Sequence, residues 1–516
     1  MDKIIILDFG SQTTQLIGRR IRDFGVYCEI LPGDTRLTPD VLESVKGVIL
    51  SGSPESVYEA GSPAPDKQVY ALDMPVLGIC YGTQRIMFDN GGRVSPHVKK
   101  EYGRSKILIS GTDPLLAGVP TGFVSWMSHG DSIEKIAPGY AVVAETENGV
   151  PGVVRHATRP VWGLQFHPEV THTEHGNLIL KNFAEGICGA KAEWTVDAYL
   201  AAASEDVRQR VGKKKVLLLI SGGVDSSVVA ALLLRTLDRD QVYLMYIDTG
   251  LMRKRESEEV EASLKKLGAA HLYHINAADR FLSALAGVSE PEKKREIIGN
   301  MFITVQEDEV KKLNLGDAFL AQGTLYTDMI ESGQGVGQKA HVIKSHHNVR
   351  APLVEAKRKQ GLVVEPLATL YKDEVRALGR KLGLPEGMVG RHPFPGPGLG
   401  VRILGDITRE KLEILKEADH VYIEELKKRG LYDRIWQAFS VLLPIRSVGV
   451  SGDMRRYGYV LSLRAVVSLD GMTADVFPFP TQDLLEISAR ITNTVKDIGR
   501  VVYDISSKPP ATIEWE

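Results

Sequence analysis

Cysteine is scarce in this sequence: three residues, Cys28, Cys80 and Cys188, are scattered over 516 positions. That spacing excludes a disulfide framework and a zinc knuckle and leaves free thiols, one of which can serve chemistry. Net charge is almost absent too, a formal −2, so no global field favours a polyanion and nucleic acid is not an expected partner. The short basic clusters Lys99-Lys100, Lys213 to Lys215 and Lys293 to Arg295 read as solvated faces. No apolar run approaches the roughly 20 residues a membrane span requires, so no membrane association is expected. Asp2 and Lys3 precede an apolar stretch shorter than the core of a signal peptide, which makes a cytoplasmic location the expectation. Fixed-period repeats and low-complexity tracts are missing as well.

What is present is ordinary globular composition, 43% hydrophobic and 25% charged, in a chain too long for one core, for which three domains are expected. Strand-like runs at Ile4 to Leu7, Gly47 to Leu50, Val76 to Ile79 and Val161 to Phe166 alternate with helix-like or glycine-bearing stretches, the pattern of an α/β sheet. A second such cycle begins with the strand Val216 to Ile220, the helix Val228 to Leu237 and the strand Val242 to Ile247. Small residues near Gly189 mark the first boundary. The second falls at His392-Pro393-Phe394-Pro395-Gly396-Pro397-Gly398, where prolines forbid a continuous helix. Beyond it, a helix over Asp406 to Arg429, a strand over Tyr457 to Val467 and a helix over Asp483 to Ile498 predict a small α+β domain. The expected domains are 1–189, 190–391 and 392–516.

Cys80 stands between the apolar strand Val76 to Ile79 and Tyr81-Gly82-Thr83-Gln84, which can open a helix. A tight strand-to-helix turn lifts a nucleophile above a sheet and aims the first helical N–H groups at it, favouring a thiolate and supplying oxyanion donors. Downstream, His167 and Glu169 are two apart at a strand end and would share a face. His167 can then take the thiol proton while Glu169 orients the imidazole. These segments, Gly78 to Gln84 with His167-Pro168-Glu169, resemble the class I glutamine amidotransferases. The resemblance implies a flavodoxin-like domain and a thioester formed on Cys80 from the glutamine side chain. It also implies an oxyanion hole from Tyr81 and Ser53, in Ser51-Gly52-Ser53-Pro54 where a glycine is usual, and glutamine binding by Gln84 and by Asp131 of Ser128-His129-Gly130-Asp131.

Ser221-Gly222-Gly223-Val224-Asp225-Ser226-Ser227 follows a buried strand and enters a helix. Glycines let the backbone approach anionic oxygens, hydroxyls donate to them, and a helix start adds partial positive charge. No Gly-Lys-[Ser/Thr] follows, so this is not a Walker loop. It resembles the loop of the N-type ATP pyrophosphatases, which implies a doubly wound parallel-sheet domain, Asp225 as a ligand of Mg²⁺, and ATP contacts at Ile247 and Gly323. Lys339, Lys344, His346 and His347 resemble the family's lid. Thr327 stands where proline is usual, and Arg350-Ala351 where two glycines are usual, for which altered lid mobility is expected.

Glutaminase chemistry joined to an ATP pyrophosphatase fits NAD synthetases as well as GMP synthases, and the third region separates them. Arg391 to Gly400, Leu443 to Val450 and Ser507 to Glu516 resemble the GMP synthases. That resemblance implies XMP binding by Arg295, Pro395, Gly396, Gln437, Lys508, Thr512, Ile513 and Glu514, with glutamine, ATP and XMP as substrates. It implies a homodimer through the third domain.

Overall fold

Ile4, Ile5, Ile6 and Leu7 are all fully buried, because strand β1 (Lys3–Asp8) lies inside a sheet covered on both faces, where an unbroken apolar run is the stable pattern. The computed structural model describes residues 1–326, 328, 352–451, 454–468 and 473–516. They divide into two units, the first built on Met1–Tyr199 and the second on Leu200–Tyr326 together with described residues 352–516. Among the described residues no helix is long and apolar enough to cross a membrane.

In the first unit, β1 joins β2 (Tyr27–Pro32), β3 (Val45–Leu50), β4 (Val76–Ile79), β5 (Arg93–Ile109), β6 (Phe123–Lys135), β7 (Tyr140–Thr146), β8 (Pro151–His156) and β9 (Val161–Leu164). Their order is β2-β1-β3-β4-β9-β8-β7-β5-β6. The pairs from β2 to β9 are parallel, in the flavodoxin-like order whose ligands bind beyond the carboxyl ends of the strands. The pairs from β9 to β6 are antiparallel. This extension was not legible as strands, since the inward positions of the long β5 and β6 include polar residues, Glu101, Ser105, Ser125 and His129, which are buried and mask the alternation of burial along β6. Helices α1 (Thr14–Asp23) and α2 (Tyr81–Asp89) flank the parallel half.

The second unit holds a parallel sheet in the order β12-β11-β10-β13-β14, with β10 Val216–Ile220, β11 Val242–Asp248, β12 His271–Asn276, β13 Phe319–Ala321 and β14 Val363–Val364. The order reverses between β10 and β13, so the doubly wound switch point lies there. A second sheet is antiparallel between β15 (Gln437–Ser451), β16 (Met454–Val467) and β17 (Asp475–Val476), while β18 (Ile498–Tyr503) runs parallel to β16.

The helix Arg409–Lys428 is capped by the Thr408 hydroxyl, which accepts from Lys411 N, and buries Leu412, Leu415, Ala418, Tyr422 and Leu426 at the spacing of one helical face. One hydrophobic core runs from Leu217, Met245, Phe281 and Ile298 through Leu399, Leu415 and Tyr422 to Leu461 and Ile491, so both sheets of this unit share it. The helix expected to reach Ile498 ends at Thr494. Val495 turns extended, and Ile498 opens β18, because pairing to β16 satisfies that backbone better than another helical turn.

Candidate active site

Cys80 adopts φ +52 and ψ −107 between β4 and α2, a conformation that strains a non-glycine residue by about 1–3 kcal/mol and presents its side chain above the sheet. Two glycines make this turn possible. A Cβ at Gly78 would lie 2.6 Å from Thr83 N, and one at Gly82 would lie 2.2 Å from Leu50 O. The turn is also tied to β9: Cys80 N donates to Leu164 O at 2.7 Å, and the Thr83 hydroxyl sits 2.7 Å from the same oxygen.

His167 Nδ1 donates to Glu169 Oε1 at 2.7 Å, and both side chains are buried. The two residues lie past the end of β9 at Leu164, so a turn brings them together, whereas strand alternation was the expectation. Thr173 Oγ1 donates to His167 O at 2.6 Å, and Arg20 Nε to Glu169 O at 3.2 Å. Burial by itself would lower the ionisation of His167, but the Glu169 carboxylate and the Cys80 sulfur outweigh it and hold the imidazole well above its ordinary range. A buried histidine beside a carboxylate and a thiol is thereby kept ready to hold a proton.

Gly52 lies beside this pair, with a Cβ placed there 3.5 Å from His167 Cε1. The non-glycine residues with positive φ among those described are Ser44, Cys80, His175, Arg255 and Asn314, so Ser53 occupies the usual glycine position without a left-handed backbone. The two residues expected at glutamine also meet: Gln84 Nε2 donates to Asp131 O at 3.0 Å, and the Asp131 carboxylate accepts from Tyr58 OH at 2.9 Å.

In the second unit the Ser221–Ser227 segment wraps the start of the helix Val224–Thr236. Gly222 has φ +80, Ser221 Oγ and Ser226 Oγ are 3.1 Å apart, and Ser227 Oγ donates to Gly223 O at 2.8 Å. Gly323, just past β13, presses on this loop, since a Cβ there would meet Asp225 Cβ and Ser226 N at 3.2 Å. The two loops therefore flank the switch point. Ile247 is buried near the end of β11. Lys372 was not foreseen: its Nζ lies 2.7 Å from both oxygens of Asp225. Nothing in the local sequence around Lys372 signals a contact with a residue 147 positions away.

The proline-rich loop is anchored to the same neighbourhood. Leu399 N donates to Leu251 O at 2.8 Å, and Gly398, at φ +62, approaches that carbonyl so closely that a Cβ would lie 2.4 Å from it. Pro395 O accepts from Gly398 N at 2.9 Å, which folds Gly396 into the turn. Arg391 Nη1 reaches Gly222 O at 3.3 Å and Glu256 at 3.2 Å, joining this loop to the glycine-serine loop. Gln437 Nε2 donates to Pro393 O at 3.1 Å and to Glu514 Oε1 at 2.7 Å.

The chain's last residues are held by cations. Fully buried Arg402 grips Glu514 through Nε at 3.1 Å and Nη2 at 2.8 Å and lies over the rings of Phe394 and Phe439. Arg464, also fully buried, donates to the carbonyls of Thr512 and Ile513. Arg295 donates to Glu516 O, and Lys294 to the Glu516 carboxylate. Lys508 pairs its backbone with Ala474. Of the expected site residues, Lys339, Lys344, His346 and His347 lie outside the described residues, as do Thr327, Arg350 and Ala351.

A strained buried thiol backed by a histidine–carboxylate pair, together with a glycine-serine loop at a doubly wound switch point, defines a glutamine-dependent synthetase. Residues 5–187 match "Glutamine amidotransferase class-I", residues 198–301 match "NAD synthase", and residues 424–515 match "GMP synthase C terminal domain". The chain is 50% identical to the "GMP synthase [glutamine-hydrolyzing]" of Latilactobacillus sakei subsp. sakei (strain 23K), over 100% of this chain and 98% of that protein. It is 49% identical to the protein so named from Symbiobacterium thermophilum (strain DSM 24528 / JCM 14929 / IAM 14863 / T), over 100% and 99%. A solved glutamine amidotransferase from Thermotoga maritima aligns with 40% of this chain and 85% of its own, at 16% identity and a TM-score of 0.27. The chain belongs to the glutamine-hydrolysing GMP synthases.

Proposed function

We propose that this chain makes GMP from XMP, consuming ATP, glutamine and water and releasing AMP, pyrophosphate and glutamate. The observation that carries the reading is kinship with that family over the whole length of the chain. In the first unit, Cys80 Sγ attacks the glutamine amide carbon and His167 takes the thiol proton. The N–H groups of Tyr81 and Ser53 stabilise the oxyanion, and His167 returns the proton to the leaving ammonia. Glu169 keeps the imidazole oriented, Gln84 and Asp131 hold the amino-acid end, and water then hydrolyses the thioester.

In the second unit the XMP O2 attacks the α-phosphorus of ATP, and pyrophosphate leaves into the loop Ser221, Gly222, Gly223, Val224, Asp225, Ser226 and Ser227. Ile247 and Gly323 border the adenosine. Ammonia from the first unit then displaces AMP from C2. Arg295, Pro395, Gly396, Gln437, Lys508, Thr512, Ile513 and Glu514 form the XMP site. Such chemistry implies Mg²⁺. Among the described residues no cluster of three metal-ligating side chains occurs, but a single carboxylate with substrate phosphates is the usual donor set for this ion. Asp225 fits that part, once Lys372 yields its carboxylate. Bound there, the ion would neutralise phosphate charge. The three expected domains, 1–189, 190–391 and 392–516, correspond to these tasks.

A homodimer in the cytoplasm completes the reading. Ile445, Val448, Val450, Met454 and Tyr457 on β15 and β16 are exposed, and a second copy is the apolar partner that would cover them. The chemistry is tested with Cys80→Ala: ammonium should still support XMP-dependent GMP formation while glutamine does not. Loss of both, or ADP in place of AMP, would refute the proposal.

A further inference from the structure

Behind the thiol site a buried histidine and a buried carboxylate face each other with no hydrogen bond between them. Glu101 on β5 and His129 on β6 are direct partners across the antiparallel ladder, and both are buried. His129 Nδ1 is 2.8 Å from Asp131 O. A carbonyl only accepts, so Nδ1 carries the hydrogen, and in the neutral ring Nε2 is a lone pair. That lone pair faces Glu101 Oε2 at 3.9 Å, and neither atom has a hydrogen-bond partner among the described residues. The other carboxylate oxygen is satisfied by Thr146 Oγ1 and Asn148 Nδ2, both at 3.0 Å. Two buried acceptors opposed in this way repel, and a single proton turns them into a charge-assisted hydrogen bond.

The strand bearing His129 carries the residues that face the thiol. Ser128 O is 3.8 Å from Cys80 Sγ, and Asp131 O accepts from Gln84. We infer that Glu101 is a positioning residue for glutamine binding, acting through His129: the pair takes one proton from solvent, closes across β5 and β6, and seats the Ser128-to-Asp131 segment. The groups facing His129 are Glu101 from β5, His167 from the segment after β9, and Asp131 on its own strand. Burial lowers the His129 ionisation, the Asp131 carbonyl and Glu101 raise it, and His167 lowers it. The proton therefore enters on the acid side of the ordinary imidazole range.

This inference rests on reading the Cys80 site as a glutaminase. The test measures glutaminase KM and kcat between about pH 5 and pH 8 for the full chain, Glu101→Gln and Glu101→Ala, with ammonium-supported synthesis run alongside. Glutamine at 101 keeps the oxygen that Thr146 and Asn148 need, and its amide N–H donates to His129 Nε2 without any added proton. Wild-type KM for glutamine should climb several-fold as the pair loses its proton. Glu101→Gln should hold the low KM at every pH, Glu101→Ala should show the high KM throughout, and ammonium rates should match in all three. A Glu101→Gln profile that superimposes on wild type overturns the inference, as does a Glu101→Ala protein with unchanged KM or a lowered ammonium rate. Wild-type chain with no glutaminase activity would instead defeat the underlying reading.

Discussion

His167 and His392 are both buried imidazoles, and the balance between burial and neighbouring groups shifts them in opposite directions. Burial would discharge His167, but Glu169 and Cys80 reverse the balance. Its contribution to stability is fully present below the unfolded value near 6.5 and is lost as pH rises through the raised folded value. Burial wins at His392 and lowers it to about 4. Its Nδ1 accepts from Ala438 N at 3.1 Å, and its Nε2 donates to Tyr432 O at 2.9 Å, so a second proton would break the first bond. Here the folded value lies below the unfolded one, so the contribution is present above pH ~6.5 and lost as pH falls through ~4, about 3 kcal/mol in all. Urea titrations at both ends of that window should show wild type losing more stability on acidification than His392→Gln, by about that amount. The element that carries His392 is the loop that anchors Gln437 and the proline turn, so its neutral form holds the proposed acceptor site together.

At the scale of elements, the strand-to-helix turn at Cys80 depends on β3 as much as on its own residues. A methyl at Gly82 would collide with the Leu50 carbonyl, which is backbone inside a five-strand parallel array and has nowhere to move. Gly82→Ala should therefore displace the start of α2, costing glutamine-dependent synthesis roughly tenfold or more. Ammonium-dependent synthesis should be unaffected, because the loop at Ser221 belongs to the other unit. Comparing the two nitrogen donors in one preparation checks this. The same close packing explains why this turn was legible in the chain: Gly78, Cys80 and Gly82 announce it locally. The His167–Glu169 pairing was legible in its residues but not in its geometry, since the strand stops at Leu164 and a turn does the work.

Across the whole molecule, the second unit shares one core between its two sheets, and its C-terminal residues are clamped by Arg402, Arg464, Lys294 and Arg295. Glu514→Ala would strand the fully buried Arg402 guanidinium, and loss of one partner of a buried ion pair costs about 3–5 kcal/mol. Calorimetry should show a lower melting transition for the second unit with the first unit's unchanged, along with weaker binding of XMP. The partners in this clamp are far apart in sequence, 112 residues for Arg402 and Glu514, as are Lys372 and Asp225, and no local pattern reveals such pairs. Short-range order was different. Strand–turn–helix segments, the glycine-serine loop and the turn at Cys80 follow from steric and hydrogen-bonding rules acting over a few residues, so the order of residues alone determined them. Which carboxylate meets which cation, where β5 to β8 extend the first sheet, and the opposition of Glu101 and His129 depended on how distant strands and tails pack. Only the folded chain decided them, because side-chain pairing across a core is set by tertiary register and burial.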